Sequence, residues 1–149
     1  MGFDLAGGYS DLTVAANWNK TEVKDIGDVN PISAGRVRAL EDLLPRVKGS
    51  VTWAHTQGRI RGMLRLNYYG EWDDTGNGVD DIGAEVLVDV EVGYEMENGL
   101  ELIGGVSNLF DNYNDKNPGR GGSGQLYPES GPFGMNGGQW YLKARYSFN

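Results

Sequence analysis

The chain has 149 residues, 24 of them glycine, with a formal net charge of −8, a single histidine and no cysteine. That length holds one domain of ordinary size. The missing cysteines exclude a disulfide framework and thiolate metal sites; the lone His55 excludes a two-histidine metal site, and the acidic balance argues against nucleic-acid binding, which wants a basic face.

Taken in chain order, the segments alternate with period 2, the pattern of strands whose two faces differ. Residues 2–9 open with Phe3, Leu5 and Tyr9 on one parity. Residues 12–24 set Leu12, Val14, Ala16 and Trp18 against Thr13, Asn17, Asn19 and Thr21. Residues 46–56 oppose Val47, Gly49, Val51 and Trp53 to Lys48, Ser50, Thr52 and Ala54. In 59–72, Ile60, Leu64, Leu66, Tyr68 and Trp72 face away from Arg59, Arg61, Arg65, Asn67 and Glu71. In 85–96 four valines and Tyr94 oppose Glu85, Asp89, Glu91 and Glu95. Residues 100–110 carry Leu100, Leu102, Gly104 and Val106 on one side, with Ile103 weakening the contrast. Residues 139–148 are the clearest: Trp140, Leu142, Ala144, Tyr146 and Phe148 against Gln139, Tyr141, Lys143, Arg145 and Ser147.

Parity also constrains the turns. A two-residue loop pairs opposite parities and a three-residue loop pairs like ones. Ser10–Asp11 is expected to pair Tyr9 with Leu12 and Phe3 with Trp18. Gln57–Gly58 is expected to pair Trp53 with Gly62 and Val51 with Leu64. Glu97-Asn98-Gly99, with Gly99 left-handed, sets Tyr94 opposite Leu102 and Glu95 opposite Glu101. Long connections at 25–45, 73–84 and 111–138 alternate with these short turns.

This reading predicts an all-β, antiparallel up-and-down meander of about seven transmembrane strands. The strands are long enough to cross a bilayer at a tilt, and tight turns at one end with long loops at the other are an outer-membrane barrel pattern. A soluble β-sandwich also alternates and remains the other architecture. No apolar run approaches the ~20 residues of a membrane helix, and no signal peptide is visible at Met1.

The connections offer few sites. Asp73 to Asp81 is acidic and glycine-spaced, but its spacing is not that of an EF-hand, so an exterior loop is expected. Gly119 to Gly124 lacks the ending of a phosphate loop. A short helical turn is expected at Ala39 to Leu44. His55 falls on the apolar parity at a strand end, in a belt position, with no nucleophile beside it in sequence. Tyr113, Tyr127 and Phe133 lie in the longest connection, where they either stack on a ligand or anchor the rim. No cofactor or metal is expected, and no constellation of acid, base and nucleophile points to an enzyme.

Two stretches carry a resemblance. Gly105-Val106-Ser107-Asn108-Leu109-Phe110-Asp111-Asn112-Tyr113 and Tyr127-Pro128-Glu129-Ser130-Gly131-Pro132-Phe133-Gly134-Met135-Asn136-Gly137 resemble signatures near the end of TonB-dependent outer-membrane receptors. Trp140 to Phe148 resembles their terminal strand, although Asn149 follows the usual terminal aromatic residue; Asn19 to Val23 and Leu44 to Gly49 also match late-barrel stretches.

The resemblance implies a barrel of about 22 antiparallel strands around a plug, of which this chain supplies the C-terminal part, without plug or TonB-contacting segment. It implies uptake of a scarce nutrient such as a ferric siderophore across the outer membrane of a Gram-negative bacterium. The implied partners are the plug and remaining strands, the TonB complex, lipid and the outer-membrane insertion machinery. That machinery would read Trp140, Leu142, Ala144, Tyr146 and Phe148 as an assembly signal. Glu85, Asp89, Glu91, Glu95 and Glu101 would face the plug, either as a wall screened by water or awaiting the plug's basic residues, with Arg61, Arg65, Lys143 and Arg145 then neutralising other parts of the wall. A small self-assembling structural or adhesin-like outer-membrane barrel is the alternative function.

Overall fold

In the computed structural model, residues 1–28, 31–74, 79–118 and 124–148 are described. The elements are β1 (Gly2–Leu5), β2 (Gly8–Trp18), α1 (Ala34–Asp42), β3 (Val47–Gln57), β4 (Ile60–Tyr69), β5 (Trp72–Asp74), β6 (Val79–Ile82), β7 (Glu85–Glu95), β8 (Leu100–Ser107) and β9 (Gln139–Tyr146). Seven strands make one sheet in the order β1-β2-β3-β4-β7-β8-β9. Every neighbouring pair is antiparallel. The expected meander is present, with β5 and β6 forming a separate hairpin inside the β4–β7 connection.

Two turns differ from expectation. The first reversal is at Ala6–Gly7, not Ser10–Asp11: both residues are left-handed, φ 50° and 80°, the geometry of a tight type I′ hairpin. Phe3 therefore faces Ser10 rather than Trp18, and Tyr9 leaves the apolar face to stand opposite Asp4. The adjoining Gly8 is required by space, since a Cβ there would sit 2.4 Å from the Thr56 carbonyl oxygen. The second reversal is Gly58–Arg59, with Gly58 at φ 58°. The register moves by two residues, so Trp53 faces Leu64 and Val51 faces Leu66. The second correction is an even number of residues, so no side chain of β3 or β4 changes face, whereas the first moves Tyr9 into β2 and onto its polar face. The third turn is as expected, with Tyr94 opposite Leu102, Glu95 opposite Glu101 and Gly99 at φ 79°.

The apolar parities therefore join across all seven strands. Leu12, Trp53, Leu64, Val90 and Val106 form one row. Tyr94, Leu102 and Ala144 form another. Among the described residues nothing covers this face: Val14, Trp18, Val92, Leu142 and Trp140 are 66, 70, 60, 73 and 82% exposed.

The long connections gather at the end opposite the turns. In the first of them α1 begins earlier than expected. Ser33 caps it by accepting a hydrogen bond from the Arg36 backbone N–H at 3.2 Å, the usual means of satisfying a free helix-start donor. The helix packs beside β5 and links to it through Arg38 and Asp73 at 3.1 Å. Trp72, Val79 and Ile82 form a small buried core there.

Candidate functional site

The polar face carries the ion-pair network that the fold assembles. Arg61 on β4, Glu91 on β7, Glu101 on β8, and Tyr141, Lys143 and Arg145 on β9 form one network. Glu101 is paired with Arg61 and, at 2.6 Å, with Arg145. Glu91 receives Arg61 at 3.4 Å, Lys143 at 3.7 Å and the Tyr141 hydroxyl proton at 2.7 Å. Lys143 also sits 4.2 Å above the centre of the Tyr141 ring, a cation–π distance.

Two glycines make room for this crossing. A Cβ on Gly93 would stand 2.9 Å from Arg61 Nε and 3.0 Å from a Glu101 oxygen. A Cβ on Gly105 would stand 2.4 Å from the Tyr141 ring and hydroxyl. Arg61 thus passes over Gly93 to reach Glu101, and Tyr141 lies across Gly105 to reach Glu91.

The five acidic residues expected to face a plug have separate surroundings. Glu95 is opposite Glu101 as expected, but the Glu101 carboxylate is held by two guanidinium groups. Arg61, Lys143 and Arg145 serve Glu91 and Glu101 themselves, rather than other parts of the wall. The reason is geometric: Arg145 stands directly across from Glu101 and Arg61 lies one strand from Glu91, while Arg61 and Lys143 are long enough to reach Glu101 and Glu91 across an intervening strand. Asp89 accepts from the Asn67 amide and from the Asn108 backbone N–H, each at 3.0 Å. Glu85 accepts from the Asn112 amide at 3.2 Å. Glu95 lies at the exposed turn end of its strand.

Asp89 and Glu85 anchor a clasp at the loop end. Asn108, left-handed at φ 52°, ends β8. Its side chain donates to the Asn112 carbonyl at 2.8 Å and accepts the Asn112 backbone N–H at 3.0 Å. Asp111, at φ 57°, accepts from the Gly138 backbone N–H at 2.7 Å and from the Tyr113 hydroxyl at 3.0 Å. That hydrogen bond, with desolvation second, holds the Tyr113 phenol above its ordinary pKa. Gly137 is left-handed at φ 67° and Gly138 approaches the Asn108 carbonyl so closely that a Cβ would fall 2.9 Å from it. The clasp returns the longest loop to the start of β9. The pairing of Asn and Asp at left-handed positions with a downstream Gly-Gly was the available signal for it.

The three aromatic residues weighed as ligand contacts do not come together. Tyr113 and Tyr127 stack on one another, ring centres 5.0 Å apart and planes 8° apart, whereas Phe133 packs on Tyr69 at 5.1 Å. Of the terminal-strand set, Trp140, Leu142 and Tyr146 are exposed on the apolar face of β9. Ala144 pairs with Leu102, and Phe148 lies beyond β9 with its ring 4.8 Å from that of Tyr146.

His55 does have a hydroxyl beside it, unlike its sequence neighbourhood. Ser10 Oγ, fully buried, is 2.8 Å from His55 Nδ1 and accepts from the Trp53 indole N–H at 3.2 Å. The buried hydroxyl is enclosed, so this cluster fits a polar anchor at the turn end of the apolar face, not a nucleophile open to substrate.

Asp73 accepts from the Asp81 backbone N–H at 2.7 Å. Residues 75–78 of that acidic loop, and 119–123 of the glycine-rich stretch, lie outside the described residues. Among the described residues no group of three His, Asp or Glu side chains is placed to hold a metal ion. Among the described residues no helix is long and apolar enough to cross a membrane.

No family model, curated protein or solved structure matches the chain.

Proposed function

We propose that this chain is the C-terminal part of the barrel of a TonB-dependent outer-membrane receptor that takes up a scarce nutrient such as a ferric siderophore. The observation that carries the reading is the seven-stranded antiparallel sheet with one face apolar from edge to edge. Such a face finds its solvent in hydrocarbon, where each backbone group must also be paired. Short turns at one end and long loops at the other support the same orientation as outer-membrane barrels. The sequence stretches 105–113 and 127–148 add the resemblance to this family.

In this reading β1 and β9, the sheet edges, pair with further barrel strands, and the polar face lines the interior around a plug. Trp140, Leu142, Ala144, Tyr146 and Phe148 are read during insertion, and the TonB complex acts through a segment elsewhere in the receptor. The test is to fractionate host cells and follow the protein with an antibody against its loops. Recovery in the outer membrane, with surface protease reaching the 108–138 loop, is expected. Recovery as a monodisperse protein in detergent-free buffer would refute the reading.

A further inference from the structure

Beside the ion-pair network the polar face has a recess of about 440 Å³, lined by Arg61, Arg65, Lys143, Glu91 and Tyr141 among others. Its charge is lopsided: three cations against one carboxylate, in a chain whose net charge is −8. The one carboxylate, Glu91, is already engaged by Arg61, Lys143 and Tyr141.

Arg65 is the unmatched member. Asp89 stands directly opposite it in the register, but the Asp89 carboxylate is turned to Asn67 and the Asn108 backbone. Arg65 Nε donates to the Thr52 hydroxyl at 3.2 Å. Among the described residues its guanidinium makes no ion pair. A guanidinium presents its donors as a planar fork that fits a carboxylate with two parallel hydrogen bonds. A fourth cation in this recess would be repelled by the Arg65 guanidinium, which no carboxylate of the described residues neutralises, whereas a carboxylate would pair with it.

We propose that this recess is a binding site for a carboxylate group, with Arg65 as its principal ligand and Arg61 and Lys143 as flanking charges. The carboxylate comes either from an acidic peptide segment lying against the polar face or from a free polycarboxylate. The site lies on the opposite face from the apolar surface, so it stands whether or not that surface meets lipid.

The experiment uses the 149-residue chain in the non-ionic detergent dodecyl maltoside at low salt. Two probes are offered: a fluorescein-labelled hexaglutamate peptide, read by anisotropy, and citrate, read by calorimetry. Hexalysine serves as the opposite-charge control. At least one carboxylate probe is expected to bind, and to weaken as salt screens the charges. Arg65→Gln is expected to weaken it about tenfold, the usual size for losing a charged hydrogen bond. Glu91→Gln is expected to tighten it severalfold, because Lys143 loses its carboxylate partner and Arg61 one of its two. Arg59→Gln, in the distant turn, leaves it unchanged. Binding of hexaglutamate alone assigns the source to an acidic segment, and of citrate alone to a free polycarboxylate. Hexalysine binding as well as either probe, no binding of either probe, or unchanged affinity in both Arg65→Gln and Glu91→Gln would overturn the proposal.

Discussion

An arginine placed on the apolar face measures directly whether that face meets hydrocarbon. Val90 is the midpoint of β7 and stands between Leu64 and Val106. Val86, on the same face, lies four residues nearer the loop end, opposite Tyr68. Four residues at roughly 3.3 Å each span about 13 Å along the strand. At a tilt near about 40° this is about 10 Å along the membrane normal, most of the half-height of a ~25 Å apolar band. Val90→Arg then sets a guanidinium near the midplane and costs about 2–4 kcal/mol, whereas Val86→Arg sits near the interface and costs about 0–1 kcal/mol. The assay is a urea titration in phosphatidylcholine vesicles, followed by tryptophan fluorescence, on protein extracted from its host membrane with whatever further strands it carries. On a water-facing sheet, both substitutions would fall within about 0.5 kcal/mol of neutral. Equal, small effects at the two positions would refute the membrane reasoning.

Further predictions follow from the edges, the terminal strand and the clasp. Seven is odd, so β1 and β9 run parallel, while single-chain bacterial barrels are antiparallel and even-stranded; the 149-residue chain in detergent is expected to associate through its edges, and a heat-modifiable monomer on gel electrophoresis would contradict this. Removing Phe148 is expected to lower the outer-membrane level far more than removing Asn149, read by immunoblot of membrane fractions; equal levels would contradict an assembly signal. The Tyr113 phenol is expected to titrate above the ordinary value near about 10, because the Asp111 carboxylate opposes its ionisation. Its pKa is raised on folding, so this contribution is whole at neutral pH and is lost as pH rises through the raised value; carbon-13 tyrosine resonances with and without Asp111→Asn follow it. Gly137→Ala is expected to cost more than about 1 kcal/mol at its left-handed φ, and to collide with Tyr113, opening the 108–138 loop to protease; unchanged cleavage would remove the clasp from the account.

Period-2 alternation was legible in the sequence because it is a local property. Side chains two apart share a face whatever the neighbouring strand does, so Val86 to Tyr94 and Trp140 to Phe148 announce a two-faced sheet unaided. The third turn was legible too, since Gly99 at a left-handed position leaves only one register that keeps the faces together. At the first two turns parity allowed several registers, and Ala6–Gly7 and Gly58–Arg59 were selected by left-handed geometry and close contacts such as Gly8 against Thr56. The ion-pair network was not legible, because it depends on residues from four strands and on the clearance over Gly93 and Gly105. Glu95 opposite Glu101 reads as repulsion along two strands. Only when Arg61 reaches over β7 from β4 and Arg145 arrives from β9 does Glu101 become a paired carboxylate, and only when Asp89 turns to Asn108 is Arg65 left with a guanidinium to offer. The sequence by itself determined which side chains share a face; the tertiary structure decided which of them meet, because meeting requires register, and register is set by turns and backbone contacts that alternation does not encode.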